Sequence, residues 1–153
     1  MADAKITPCL WFDGKAEEAA NFYVSLLPES RVETVVPGPG GKAMVVEFTL
    51  AGQPYLALNG GPYYQFSPAV SFIVNCDTQA EIDRLWAALL DGGTPMQCGW
   101  ITDRYGMTWQ IVPRAIAGMM KDPDREKSQR VMAAMMPMVK IDLGVLQAAY
   151  EGR

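Results

Sequence analysis

The chain has 153 residues, of which 50% are hydrophobic and 20% charged, with a net charge of −4 and no histidine. That size and apolar content predict one folded, soluble domain, and no apolar run approaches the ~20 residues of a membrane span. The acidic balance argues against a nucleic-acid partner or an anionic membrane, and the missing imidazole excludes Ser-His-Asp triads and His-ligated metal centres. The amino-terminal MADAKITPCLWFDG lacks the basic start, apolar middle and cleavage site of a secretory signal, so a cytoplasmic location is expected. Cys9, Cys76 and Cys98 are odd in number and form no CxxC pair, which predicts structural thiols rather than a disulfide framework or zinc knuckle.

Residues 6–12 (ITPCLWF) form a β-branched and aromatic run that stops at Asp13-Gly14 and reads as the first strand. Over 15–27, Ala16, Ala19, Ala20, Tyr23, Val24 and Leu27 recur at three- and four-residue steps until Pro28, predicting an amphipathic helix. Strands follow over 31–36, 43–50 and 55–59, the first two joined by PGPGGK and the last two by Ala51-Gly52-Gln53-Pro54. The same order then returns. Residues 70–76 (VSFIVNC) read as a strand, and Thr78 with Glu81 fits a capping box. A helix over 80–90 follows, with Ile82, Leu85, Trp86 and Leu89 on one face, until Gly92-Gly93 ends it. Strands are expected over 96–102 and 108–112 around the turn Asp103-Arg104-Tyr105-Gly106. Two similar modules are therefore predicted, about 5–61 and 68–113, within a single domain spanning 1–153. From 114 the texture changes to helix formers, over 114–120 and 124–150 with a break at Pro137, predicting a C-terminal helical appendage.

Three segments, ITPCLWFDGKAEEAANFYVSLLPES, LNGGPYYQFSPAVSFIVNCDTQAEIDRLWAAL and CGWITDRYGMTWQIVP, carry a family resemblance. They are similar to the opening strand and helix, the central passage and the closing hairpin of PhnB-like proteins. These form a branch of the glyoxalase, bleomycin-resistance and extradiol-dioxygenase superfamily, also called vicinal oxygen chelate proteins. The resemblance implies an α+β fold of paired βαβββ modules, each contributing a curved sheet to a glyoxalase-like cleft. It also implies a homodimer, and the label of a 3-demethylubiquinone-9 3-methyltransferase homologue. The residues argue against that activity in its usual form, because S-adenosylmethionine is commonly bound at a glycine-rich turn between a parallel strand and a helix. PGPGGK lies between two predicted strands and contains two prolines, which suits a hairpin loop.

Metal-dependent members of the superfamily use histidine on the first strand of each module and histidine or glutamate on the last strands. Registered on Phe22-Tyr23, the first-strand position falls on Pro8, and its counterpart in the second module near Ala69 or Ser71. The last-strand glutamate falls on Gln110, four residues after Gly106, and its counterpart near Ala57 or Asn59. Amides and a hydroxyl replace poorly the donors that zinc, iron or nickel prefer, so a site with no metal and no cofactor is expected.

An aromatic surface stands in for the metal, since Trp11, Phe48, Phe72, Trp100 and Trp109 lie on predicted strands. Alternation puts Thr108 and Val112 on the face of Gln110, with Trp109 on the opposite, helix-packed face, and pairs Cys98 with Trp100 and Cys9 with Trp11. The candidate ligand-binding residues are Trp11, Asn59, Cys98, Trp100 and Gln110, around a small, partly aromatic molecule. Ordinary core roles for the aromatics, and a turn role for Asn59 in Asn59-Gly60-Gly61-Pro62, are the competing readings.

Candidates for catalysis are Glu47, a carboxylate inside MVVEFTL, and Asp103 in the turn before the last strand, with a solvated face and a structural turn as their respective alternatives. Cys98 has no histidine to activate it as a nucleophile. Met119, Met120, Met132, Met135, Met136 and Met138 crowd the tail, which suits packing on its own core or on a second subunit. The composition favours binding or sequestration of a small molecule. A metal-independent enzyme using a lone carboxylate is the alternative, and a regulatory dimer with a vestigial pocket the third reading.

Overall fold

A computed structural model describes residues 4–153 and divides between Phe66 and Ser67 into two compact units. The first contains β1 (Cys9–Phe12), α1 (Ala16–Leu26), β2 (Arg31–Pro37), a 3₁₀ turn (Pro39–Gly41), β3 (Ala43–Leu50) and β4 (Gln53–Asn59). Its four-stranded sheet has the order β1-β4-β3-β2, with β1 and β4 parallel and the other pairs antiparallel. Alternation along β3 buries Val46, Phe48 and Leu50 on the side that α1 covers, beside Ala57 and Tyr55 of β4 and Leu10 and Phe12 of β1. Ala16, Ala19 and Ala20 are the contact residues of α1, and their small side chains let the helix lie close to the sheet. Tyr23 fills the middle, 6.4 Å from Phe48, which stacks on Tyr55 at 5.5 Å. Burial of such a side chain contributes roughly 1.5–3 kcal/mol. The face that α1 leaves open carries Cys9, Trp11, Val45, Glu47, Thr49, Leu56 and Leu58.

The second unit repeats the plan with β5 (Ser71–Cys76), α2 (Gln79–Leu90), β6 (Thr94–Pro95), β7 (Trp100–Thr102) and β8 (Thr108–Pro113). The sheet order β5-β8-β7-β6, with β5 and β8 parallel, reproduces that of the first unit. The expected paired βαβββ modules are thus present as topology as well as element order. The capping box at α2 also forms, slightly displaced: Thr78 Oγ1 accepts from Glu81 N–H at 3.2 Å, while Glu81 reaches back to Asp77 N–H at 3.0 Å. Ile82, Leu85, Trp86 and Leu89 are buried, as are Ile101, Trp109 and Ile111 on the covered side of the sheet.

The tail follows as α3 (Ala115–Met120), α4 (Arg125–Met135) and α5 (Leu143–Glu151), with its own small core of Met119, Val131, Ile141 and Leu146. It is stapled to the second module. The Gln79 amide donates to Ile141 O at 3.0 Å and accepts from Leu143 N–H at 2.8 Å, and Lys140 pairs with Asp83 at 2.8 Å. Here the structure corrects a sequence expectation, for the strand predicted over 96–102 is broken. Within it only Trp100–Thr102 is a strand, a separate short one, Thr94–Pro95, lies just before it, and Cys98 and Gly99 adopt φ of +60° and +83°. Their N–H groups donate to Met138 O and Val139 O of the tail, each at 2.8 Å, instead of to a neighbouring strand. Gly99 is needed for space as well as φ, since a Cβ there would lie 2.8 Å from Ile111 O and 2.9 Å from Ile141 Cγ1. The break at Pro137 is also longer than predicted, α5 starting afresh after Asp142, whose carboxylate caps Val145 N–H. No helix among the described residues is long and apolar enough to cross a membrane.

Candidate functional site

The open face of the second sheet groups several of the expected residues. Gln110 on β8 lies between Ile73 of β5 and Trp100 of β7 as cross-strand partners, and its Nε2 donates to Ser71 Oγ at 2.9 Å. Thr108, two residues earlier on β8, has Ser71 and Thr102 as its neighbours. Thr108 is fully buried, yet its Oγ1 has no hydrogen-bond partner among the described residues. A hydroxyl stranded in this way costs about 1–3 kcal/mol. Trp109 and Phe72 turn to the covered side, where their rings meet edge-on at 5.0 Å. Trp100 and Gln110 are therefore brought together, and Ser71 and Thr108 complete the group. Thr108 was assigned to this face by alternation, but no sequence signal marks its hydroxyl as unpartnered.

Cys98 does not share this face, because the broken strand removes the alternation that paired it with Trp100. Its Sγ points to the tail, 3.7 Å from Met135 O and 3.6 Å from Met136 O. Asp103 is buried and engaged in its turn: Oδ1 accepts from Tyr105 N–H at 2.8 Å and Met107 N–H at 3.0 Å, and Oδ2 from Trp109 Nε1–H at 2.9 Å. That arrangement fixes the β7–β8 turn and anchors the Trp109 ring. Burial, reinforced by the Glu81 and Asp77 carboxylates, pushes the Cys76 thiol up to about 12, so it carries no nucleophilic thiolate near neutral pH.

In the first module, the expected pair Trp11 and Asn59 lies on opposite faces of the sheet. Asn59 follows Ala57 on the covered side, where its Oδ1 accepts from Ala16 N–H at 2.9 Å and its Nδ2 donates to Ala43 O at 2.8 Å. It caps α1, whose preceding Lys15 supplies no side-chain cap. Trp11 lies on the open face and donates from Nε1 to Gly61 O at 2.9 Å. A Cβ at Gly60 would come within 2.2 Å of its ring, and Tyr64 meets it edge-on at 4.9 Å. Trp11 thereby pins the segment that leaves β4.

Glu47 is half-buried on the open face, across from Leu56 and Thr34, without a hydrogen bond or ion pair to any described residue. A carboxylate the sequence did not single out, Glu33, sits at the bulge between Val32 and Thr34. Glu33 accepts from Thr49 Oγ1 and Arg31 Nε, each at 2.8 Å. The Thr49 bond, with help from Arg31, holds its carboxyl below the usual value.

The donors do not fit the metal of the wider superfamily. Pro8 contributes only its carbonyl, already bound to Leu56 N–H, and both ends of Asn59 are used. No group of three or more Cys, Asp or Glu residues among those described could hold a metal ion. A nucleotide-type methyl donor fits no better, since Pro39–Gly41 turns between two antiparallel strands and leads into no helix.

Residues 4–112 match the family described as 3-demethylubiquinone-9 3-methyltransferase. A PhnB protein from Bacillus cereus is 33% identical with a TM-score of 0.67, over 71% of this chain and 99% of that one. Protein PA1353 from Pseudomonas aeruginosa is 26% identical with a TM-score of 0.61, over 72% of this chain and 98% of that one. Fosfomycin resistance protein FosX from Mesorhizobium loti shares the fold at 10% identity, TM-score 0.52, over 72% of this chain and 91% of that one. No curated protein matches. The family match ends before the helical tail, whereas the paired modules lie within it. The chain belongs to the 3-demethylubiquinone-9 3-methyltransferase-like (PhnB) family.

Proposed function

We propose that this protein binds an organic small molecule on the open face of its second module, without a metal ion. The observation that carries the reading is the buried, unpartnered Thr108 hydroxyl beside the Gln110–Ser71 pair and the Trp100 ring. An aromatic wall with a few convergent hydrogen-bonding groups is the usual make-up of a small-molecule site. A ligand that accepts from Thr108 relieves the cost of the stranded hydroxyl. The test is a thermal-shift screen of untagged protein against aromatic and phosphonate compounds, with elemental analysis of the same sample. Stabilisation of metal-free protein by an organic compound, lost in Trp100→Ala, is the expected result. A stoichiometric transition metal that must be present for binding would overturn it.

Glu47 favours a second reading, a metal-independent enzyme with this carboxylate as its base, because it stands half-buried on the open face without a hydrogen bond or ion pair to any described residue. Turnover of any compound from the screen that disappears in Glu47→Gln would establish it. A second copy of the chain is the proposed protein partner, and light scattering at the mass of a monomer would remove that part.

A further inference from the structure

The face that carries the proposed site is distinguished by what it lacks. Ser71, Ile73, Trp100, Thr102, Thr108 and Gln110 include no ionisable side chain. An ionic ligand seated there would lose water and find no counter-charge, so a charged group is rejected at the centre of the site. The groups that are present are neutral donors and acceptors around one another. One N–H of the Gln110 amide is spent on Ser71, which leaves the second N–H and Oε1 in the same plane. Such an edge complements a ring with an adjacent donor and acceptor, in the way that glutamine reads an adenine edge. Trp100, the neighbour of Gln110 across the β7–β8 pair, offers an aromatic surface for the ring itself. The Thr108 hydroxyl adds a donor that no described residue uses.

We infer, resting on the binding reading above, that the ligand class is an uncharged planar heterocycle with a cyclic amide edge, of the lactam or pyrimidinone type. The edge pairs with the free N–H and Oε1 of Gln110, and the second lone pair of the ring carbonyl accepts from the Thr108 hydroxyl once the ring has displaced the side chains that cover it. A net-neutral ring is preferred to a carboxylate of the same shape.

Three probes on one bicyclic frame separate the possibilities on the full-length protein: quinolin-2-one, N-methylquinolin-2-one and quinoline-2-carboxylate, titrated by calorimetry and ligand-observed NMR. Quinolin-2-one is expected to bind, and N-methylation, which removes the donor, to weaken it about tenfold or more. The carboxylate is expected to bind more weakly than either. Thr108→Val keeps the shape of the side chain and is expected to weaken quinolin-2-one several-fold while the free protein melts no lower. Equal affinity for the methylated and unmethylated rings, or preference for the carboxylate, overturns the inference. If none of the three binds while some other compound stabilises the protein in a Trp100-dependent way, the ligand class is wrong and the site stands. If nothing binds at all, both fall.

Discussion

The two modules share element order, sheet order and strand directions, yet they fasten their helices by different means. In the second, α2 is capped from within its own turn, by Thr78 and Glu81. In the first, α1 receives its cap from Asn59, 43 residues away in the chain, at the end of β4. The open faces differ as well, with Arg31, Glu33 and Glu47 on the first and only neutral groups on the second. One backbone plan therefore constrains where helices and strands lie, while the polar groups that complete it are solved separately in each copy.

The largest expected effect lies at the β7–β8 turn, where a buried carboxylate does what the matching β3–β4 turn achieves with positive φ, one backbone bond and the Ser30 hydroxyl, which accepts from Ala51 N–H at 2.8 Å. Ala51 and Gly52 adopt φ of +50° and +81°, and Gly52 N–H donates to Glu29 O. Asp103→Ala would strand Trp109 Nε1–H and the backbone N–H groups of Tyr105 and Met107. A loss of about 3–5 kcal/mol in denaturant unfolding is expected. A loss under 1 kcal/mol would show that the turn is held by backbone conformation and not by the Asp103 carboxylate.

The helix caps give the next largest difference. Asn59→Ala removes the bond to Ala16 N–H and leaves Ala43 O without its donor, so about 1–3 kcal/mol should be lost. Thr78→Ala, which breaks only the local cap, should cost about 1 kcal/mol. Equal effects would mean that the long-range bond from Asn59 does no more than an ordinary cap.

This contrast also explains what could be read in the sequence. The local cap at Thr78, the alternation that puts Thr108, Gln110 and Val112 on one face, and the buried helix positions depend on spacings of a few residues. They were legible. The role of Asn59 was not, because its sequence setting, Asn59-Gly60-Gly61-Pro62, looks like a turn and the partner lies at the start of another element. Cys98 was misplaced for a similar reason: the tail carbonyls of Met138 and Val139, some 40 residues on, are what draw its segment out of the extended conformation. Of the five proposed ligand-binding residues, Trp100 and Gln110 share a face and Cys98 does not, while Trp11 and Asn59 divide between the two faces of the other sheet. Alternation is a local rule, and it holds only as far as the strand does.

Threonine exchanges on the two open faces should have opposite signs. Thr108→Val removes a buried hydroxyl without a partner and should stabilise the ligand-free protein by about 1 kcal/mol. Thr49→Val removes the donor to Glu33 and should destabilise. Both are read from chemical-denaturation midpoints at unchanged slope. Destabilisation by Thr108→Val would show that the hydroxyl is satisfied in solution, for instance by water.

The smallest effect expected is a pH dependence confined to the first module. Glu33 has its carboxyl held down, mainly by the Thr49 hydroxyl. A carboxyl that is more acidic when folded than unfolded stabilises fully above its unfolded value, near 4.5, and that contribution fades as the pH falls through the lower folded value. An NMR titration of the Glu33 side chain should give a midpoint below the ordinary one, and Thr49→Val should move it upward. The second module's open face has no ionisable side chain to respond, so occupancy of its site by a neutral ligand should stay constant from about pH 5 to 8. A change in that occupancy over the acid range would show that an ionisable group takes part in binding.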